Sequence, residues 1–190
     1  MGTALRKPMT LREFLVWEER QELRYEFDGF QPVAMTGGTA EHSLIQGNLI
    51  NALLNRLRGG PCRAHGSDLK IGVAGRIRYP DAFVVCSPVP RGATVITEPV
   101  VVFEILSAST SVLDRVVKNE EYRDTPSIQR YVILEQLRQA ATVFSRQDDD
   151  WVGHIATGDA ELAMPEIGIK LPLAELYQDV EFPLDDDADE

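Results

Sequence analysis

The sequence predicts a single α/β (α+β) domain in which a mixed β-sheet is flanked by helices. Helical patterns come first along the chain, short apolar strands follow, and one further helix interrupts the strands. The 190 residues are enough to bury a core, and 44% hydrophobic with 26% charged residues is typical of a soluble globular protein. These values exclude collagen, a disulfide scaffold and a chain disordered throughout.

The N-terminal part of the chain predicts two helices separated by a β-hairpin. Thr10 followed by Glu13 forms a capping-box pattern for a helix over 10–22, whose helically spaced positions are Leu11, Phe14, Leu15 and Glu18. Asp28-Gly29 lies between the segments 24–27 and 30–35, which indicates a β-hairpin. A second helix is predicted over about 39–58, with Gly59 as its stop.

The remainder of the chain predicts strands with one helix among them. Strands are expected at 68–73 and 79–86, and the nearly continuous apolar run 99–106 indicates a central strand covered on both faces. A third helix is predicted over about 111–124. The later elements are strands at 130–134, 141–146, 151–157 and 167–171 and a helical turn at 173–177.

The negative charge is concentrated at the C-terminus. The formal net charge is -11, but residues 179–190 carry seven acids and no base, which leaves 23 acids and 19 bases over residues 1–178. We therefore expect one domain over 1–178 and a disordered acidic tail over 179–190. The acidic balance argues against a general, charge-driven nucleic-acid binder.

The cysteines and the apolar runs indicate a cytoplasmic protein. Cys62 and Cys86 have no metal-site spacing, and Cys86, within an apolar run, is expected to be a buried small hydrophobe. Charged residues interrupt the N-terminus, so no signal peptide is expected, and no apolar run is long enough for a membrane span.

Two acids inside apolar strands are the strongest chemical signal. Glu104 is the only charge in the run 100–106, and by alternation it shares a face with Val100, Val102 and Leu106. A buried carboxylate is costly unless it is paired or binds a metal. The alternative is a strand-end glutamate that reaches solvent or pairs with an arginine.

Asp81 follows Pro80 at the start of the preceding apolar strand, and it shares a face with Phe83 and Val85. Taken alone, it also fits a polar strand start. If this strand and the Glu104 strand are neighbours, the two carboxylates converge on one point, which suits Mg²⁺.

The predicted third helix adds a lysine. Asp114, Lys118 and Tyr122 recur at i, i+4 and i+8 on one helical face. The alternative is an Asp114–Lys118 surface pair worth about 0.3–0.5 kcal/mol. Because the helix begins soon after Glu104, a lysine on it could reach both carboxylates.

The ordered set Pro80-Asp81, Phe103-Glu104-Ile105-Leu106-Ser107, Asp114, Lys118 and Tyr122 resembles the Uma-type restriction endonuclease family of the PD-(D/E)xK superfamily. The resemblance covers about residues 9–178 and includes Tyr25-Glu26-Phe27-Asp28-Gly29, His42 and Leu171-Pro172-Leu173. It implies a restriction-endonuclease-like fold: a mixed β-sheet core flanked by helices, with an N-terminal helix and β-hairpin.

One position departs from the superfamily pattern, in which a lysine stands two residues after the second acid. Leu106 is found there, and the resemblance implies that Lys118 has taken over the role. Asp68-Leu69-Lys70 has the acid-x-lysine spacing but precedes Asp81. Lys70 could still face the site from a neighbouring strand.

The resemblance implies metal-dependent hydrolysis of DNA phosphodiester bonds, with Asp81, Glu104 and Lys118 catalytic and with Asp81 and Glu104 holding Mg²⁺ or Mn²⁺. Glu26 is a candidate auxiliary acid; otherwise it is an exposed strand residue. His42 could contact phosphate or a metal-bound water, or else serve as a cap or packing residue. DNA and a second copy of the chain are the implied partners.

A second hypothesis is a non-catalytic relative that dimerises or associates with nucleic acid while keeping the fold. The missing in-strand lysine and the acidic charge favour it. Basic residues cluster between 56 and 78, where they either line one rim of the cleft or are ordinary solvated side chains: Arg56, Arg58, Arg63, Arg76 and Arg78.

Overall fold

The computed structural model describes residues 8–35, 37–106, 113–148 and 150–183, with the side chains of 113–115 outside that description. Its helices are α1 (Leu11–Glu18), α2 (Ala40–Leu57), α3 (Asn119–Arg123) and α4 (Leu173–Leu176), with a π-helical turn at Leu113–Lys118 and a 3-10 turn at Pro165–Ile167. Its strands are β1 (Tyr25–Phe27), β2 (Pro32–Ala34), β3 (Arg63–Gly66), β4 (Lys70–Val73), β5 (Arg76–Arg78), β6 (Ala82–Val85), β7 (Val95–Ile96), β8 (Pro99–Leu106), β9 (Arg130–Glu135), β10 (Ala140–Gln147), β11 (Asp150–Thr157), β12 (Glu161–Met164) and β13 (Ile169–Pro172).

The strands form two mixed sheets and a separate hairpin. The smaller sheet has the order β2-β1-β5-β4-β7, and the larger has the order β11-β10-β9-β8-β6-β3. β8 pairs in parallel with β9 and antiparallel with β6, and β4 pairs in parallel with β7. The predicted α+β class with a mixed sheet flanked by helices is confirmed.

Strand β8 lies at the centre of the larger sheet, as its apolar sequence predicts. Its Val101 and Phe103 pack in one core cluster with Leu49 and Leu53 of α2. On the other face, Val102 packs in a second cluster that also holds Phe83, Tyr122 and Tyr131. Both faces of the strand are therefore covered by side chains.

Val100 departs from strict alternation. Val102 and Leu106 share the second cluster, as expected, but Val100 packs against the cluster beneath α2. The pairing of β6 with β8 shifts between Val84 and Val85, so that Val85 lies opposite Pro99 instead of Val100. Such a bulge reverses the side-chain direction of the residues beyond it.

The N-terminal elements follow the sequence closely. Thr10 and Glu13 form the predicted capping box, but α1 ends at Glu18 because residues 19–22 are all polar and offer the core no apolar side chain. The hairpin of β1 and β2 turns through residues 28–31. The Asp28 carboxylate accepts hydrogen bonds from the backbone N–H groups of Phe30 and Gln31 there.

The predicted strand 79–86 is divided between the two sheets. β5 ends at Arg78 in the smaller sheet and β6 begins at Ala82 in the larger one, so Tyr79-Pro80-Asp81 crosses between them. Proline has no N–H to donate, which favours a break in pairing at this point. The predicted helix 111–124 is likewise a π-helical turn followed by the short α3, and Ser111 lies outside the described residues.

The prediction for the cysteines was wrong. Cys62 and Cys86 form a disulfide, next to the pairing of Arg63 with Val85 in β3 and β6. The residues of β3 have no alternating apolar pattern that would predict a strand. The pairing of β3 with β6, and with it the proximity of the two cysteines, could therefore not be anticipated. Within the described ranges, no helix has both the length and the apolar character needed to cross a bilayer.

The first residues of the segment predicted as an acidic tail pack against the domain. Val180 and Phe182, which fall in the segment predicted as a tail, pack against the core cluster beneath α2. Residues 184–190, which carry five of the seven tail acids, lie outside the described residues.

Candidate active site

Asp81 and Glu104 lie on facing positions of two neighbouring strands. β6 pairs antiparallel with β8, with Ala82 opposite Phe103, and continuing this register by one residue places Asp81 opposite Glu104. The backbone N–H of Ile105 donates a hydrogen bond of 2.7 Å to Oδ2 of Asp81. The expectation that the two strands are neighbours is confirmed.

Glu104 is buried, with 4% of its surface exposed, and its carboxylate is paired. Oε1 accepts hydrogen bonds from Lys118 Nζ at 2.9 Å and from the Tyr122 hydroxyl at 2.7 Å. Burial, and then the negative charge of Glu104, raise the pKa of Tyr122 well above its usual value, so the hydroxyl stays protonated as a donor.

Asp81 is held in place from the start of α2. His42, in the first turn of that helix, contacts Oδ1 of Asp81 through Nε2 at 2.9 Å. Gln46, one turn further along, donates to the backbone carbonyl of Asp81 at 2.9 Å. His42 therefore contacts the proposed metal ligand directly, which goes beyond the capping and packing roles that its sequence position also allowed.

Glu26 of β1 reaches the same region from the smaller sheet. The residue is 6% exposed, which excludes the alternative of an exposed strand residue. Oε1 accepts a hydrogen bond from the backbone N–H of Tyr79 at 3.0 Å and lies 3.7 Å from Lys118 Nζ. Oε2 accepts from Arg78 at 3.0 Å.

Arg78 does not line a solvent-facing rim, contrary to one interpretation of the basic cluster. It is 1% exposed and makes a two-pronged contact with Glu121, at 2.7 and 2.6 Å. Burial works against its charge, but the hydrogen bonds to Glu121 and the charges of Glu26 and Glu121 outweigh that effect and raise its pKa. Arg56 is also committed elsewhere, in an ion pair with Glu175.

Five side chains thus form a continuous buried charged network, in which Lys118, at the end of the π-helical turn, joins the two sheets. Lys118 contacts Glu104 and Glu26, and Arg78 contacts Glu26 and Glu121. We call this set the inner network: Glu26, Arg78, Glu104, Lys118 and Glu121. Each buried charge has an opposite charge beside it, which is the condition under which such groups are tolerated.

Lys70 lies outside the inner network. Lys70 is buried in the smaller sheet, where it donates to Glu18, and Glu18 also accepts from the Tyr79 hydroxyl. Burial and the hydrogen bond to Glu18 raise the pKa of Tyr79. The side chain of Asp114 lies outside the described residues.

Sequence reasoning missed Arg78 and Glu121 of the inner network, and also Glu18, which is buried outside that network. Glu18 stood on the apolar face of α1, the same signal that identified Glu104, and could have been found by it. Arg78 and Glu121 carried no comparable signal, because an arginine in an alternating strand and a glutamate in a helix are ordinary surface patterns.

The site has an excess of negative charge. Among the described side chains, the acids outnumber the cations. The cations are the buried Lys118 and Arg78 and the partly exposed Arg76, which lies 3.1 Å from Glu121. The acids are Glu26, Glu104, Glu121 and Asp81. Over the described ranges, no group of three or more His, Cys, Asp or Glu side chains is suited to hold a metal. Mg²⁺ needs only one or two carboxylates besides water and substrate oxygens, and Asp81 and Glu104 fit that requirement.

The mixed sheet flanked by helices agrees with the restriction-endonuclease-like fold that the family resemblance implies. The chain belongs to the Uma2 family, described as "Putative restriction endonuclease", whose profile matches residues 11–174.

Two curated proteins and a solved structure are similar to the chain. The chain is 34% identical over 174 residues to an uncharacterized protein of Synechocystis sp., slr1290, covering 90% of this chain and 92% of that protein. A second Synechocystis sp. protein, sll1609, is 26% identical over 141 residues, covering 72% and 80%. A crystal structure described as a putative nuclease belonging to DUF820 from Anabaena variabilis shares the fold. Its TM-score is 0.73 at 21% identity, covering 90% of this chain and 98% of that one.

Proposed function

We propose that this protein is a metal-dependent endonuclease that hydrolyses DNA phosphodiester bonds. The observation that carries the proposal is the meeting of Asp81 and Glu104 across β6 and β8, with Lys118 bound to Glu104 at 2.9 Å. Membership of a family described as restriction endonucleases supports the choice of a nucleic-acid substrate.

Asp81 and Glu104 would hold the cation, Mg²⁺ or Mn²⁺. When bound, such a cation polarises a phosphoryl oxygen and lowers the pKa of a coordinated water. Ile105 N–H and His42 fix the two oxygens of Asp81, so its carboxylate needs little reorganisation. Lys118 supplies an ammonium group beside the carboxylates, where it can stabilise negative charge that develops on the scissile phosphate.

The test is cleavage of a supercoiled plasmid with Mg²⁺ or Mn²⁺, and with EDTA. We expect cleavage to require the cation, and Asp81→Asn and Glu104→Gln each to lower its rate at least about 100-fold, because each removes a ligand charge. Asp68→Asn is the matched control. Asp68 is the acid of Asp68-Leu69-Lys70, which has the acid-x-lysine spacing, and its side chain is 88% exposed beside Arg24. Its substitution should therefore leave the cleavage rate unchanged.

Cleavage at full rate by both site variants would refute the assignment of the site. DNA binding without cleavage at any cation concentration would instead favour the non-catalytic interaction module. A single-stranded RNA substrate in the same assay distinguishes a deoxyribonuclease from a ribonuclease.

We also propose that the active form is a homodimer. The support is chemical: one site cuts one strand, so two sites related by a two-fold axis can cut both strands of a duplex.

A further inference from the structure

Lys118 lies between two acids at unequal distances. Its Nζ is 2.9 Å from Oε1 of Glu104 and 3.7 Å from Oε1 of Glu26. We propose that Glu26 is a positioning residue: it receives the ammonium group of Lys118 when a divalent cation binds Glu104. This inference rests on the proposed function, because it takes Glu104 as a cation ligand.

The electrostatic reason is competition for one carboxylate. Without a cation, Lys118 compensates the buried charge of Glu104. If a divalent cation bound Glu104, it would compensate that charge and repel the nearby ammonium group. Because these groups are buried, both effects would be stronger than in water. Among the described acids, Glu26 lies next to Lys118 at 3.7 Å, and a shift of about 1 Å would bring the two into hydrogen-bond distance.

Glu26 is already fixed as the receiving group. Its Oε1 accepts from the backbone N–H of Tyr79, and its Oε2 accepts from Arg78. Arg78 is in turn held by both oxygens of Glu121. The acceptor is therefore immobile, and the flexible lysine side chain is the part that moves.

The transfer makes cation affinity depend on Glu26 through Lys118. With Glu26→Gln, Lys118 loses the carboxylate that lies 3.7 Å from its ammonium group, which favours its pairing with Glu104, where it would oppose the cation. The substitution retains a carbonyl oxygen that can accept the Tyr79 N–H. A dependence that passes through Lys118 must disappear when Lys118 is replaced.

The experiment is calorimetric titration of the full chain with Mn²⁺ alone, for the wild type, Glu26→Gln, Lys118→Met and the double variant. We expect Glu26→Gln to weaken Mn²⁺ binding about tenfold in the wild-type background. In the Lys118→Met background, the same change should alter the affinity less than about twofold. Thermal unfolding of each variant checks that it is folded.

Glu18→Gln is the matched control. Glu18 is also a buried acid that accepts from a lysine, but its partners are Lys70 and the Tyr79 hydroxyl, outside the inner network. The Mn²⁺ affinity of this variant should stay within about twofold of the wild type. An equal loss in Glu18→Gln, or an equal loss from Glu26→Gln with and without Lys118, would mean a general charge effect and overturn the transfer.

The outcomes separate the inference from the proposed function. Suppose that Asp81→Asn abolishes Mn²⁺ binding but that Glu26 and Lys118 show no coupling. This result overturns the transfer and leaves the proposed function standing. A wild-type chain that binds no Mn²⁺ overturns both. If Glu26→Gln does not fold, Glu26→Asp keeps the charge but withdraws the carboxylate from Lys118. Glu26→Asp should then weaken Mn²⁺ binding by a smaller factor than Glu26→Gln would. Unchanged Mn²⁺ binding would overturn the transfer.

Discussion

Glu104 illustrates the cost of an acid in an apolar strand and the way in which this fold meets it. The strand places the carboxylate on a face shared with Val102 and Leu106, where water is scarce. Lys118 and Tyr122 both donate to one of its oxygens. Since an unpaired buried carboxylate is expensive, each donor stabilises the folded protein as well as orienting the acid.

Tyr122→Phe tests this account at a single atom. Loss of the hydroxyl removes a hydrogen bond to a charged group, so the free energy of unfolding should fall by about 1.5–3 kcal/mol. Urea denaturation followed by circular dichroism measures the change. Tyr25→Phe is the control, because within the described residues the Tyr25 hydroxyl makes no hydrogen bond while its ring packs on Trp17. Equal effects of the two substitutions would contradict the assigned role of Tyr122.

The sequence predicted the centre of the site better than its surroundings. Asp81 and Glu104 are visible because an isolated acid in an apolar strand violates strand patterning. Lys118 emerged only from family resemblance and helical spacing, and its contact with Glu104 depends on a π-helical turn that no sequence pattern indicated. Glu121 could not be found, since its burial is decided by Arg78, 43 residues away along the chain.

At the scale of elements, the crossing at Tyr79-Pro80-Asp81 decides where the candidate site lies. It brings Arg78 into the smaller sheet and Asp81 to the start of β6 in the larger one. Long strands such as β8 and the helices α1 and α2 were predictable from their periodicity. The short strands β3, β5 and β7 were not, because two to four residues hold too little pattern and their pairing is set by tertiary contacts.

The disulfide provides a test at this scale. Cys62 and Cys86 close a loop with a sequence separation of 24, which contains β3, β4, β5 and Asp81. Reduction should lower the free energy of unfolding by about 2–4 kcal/mol, because the unfolded chain regains the freedom that the cross-link removes. Urea denaturation with and without a reductant measures the difference.

The paired variant Cys62→Ser/Cys86→Ser is the control for this measurement. It should unfold at the midpoint of the reduced wild type and show no response to the reductant. A wild-type protein whose midpoint is the same in both conditions would show that the cross-link contributes nothing to stability.

For the whole molecule, the net charge of -11 overstates the repulsion that DNA would meet. Seven of the acids lie in the last twelve residues, and Glu26, Glu104 and Glu121 are buried beside cations. Screening weakens the field of exposed charges beyond about 8–10 Å at physiological salt. The acidic balance therefore lowers the expected affinity for DNA without excluding it as a substrate.

Cutting both strands of a duplex requires two sites. We expect sedimentation velocity to show a species of twice the monomer mass, at least in the presence of Mg²⁺ and a short duplex. Linear product should also form from supercoiled plasmid without a long-lived nicked intermediate. A strictly monomeric protein that accumulates nicked circles would contradict the homodimer and indicate a nickase.

The inner network also limits how this sequence can drift over evolutionary time. Arg78 serves Glu26 and Glu121 together, and Lys118 serves Glu26 and Glu104 together, so each substitution leaves an orphaned charge in a dry interior. Replacing Arg78 and Glu121 together would still leave Glu26 without its arginine. We therefore expect the five members of the inner network to be retained or exchanged as one unit.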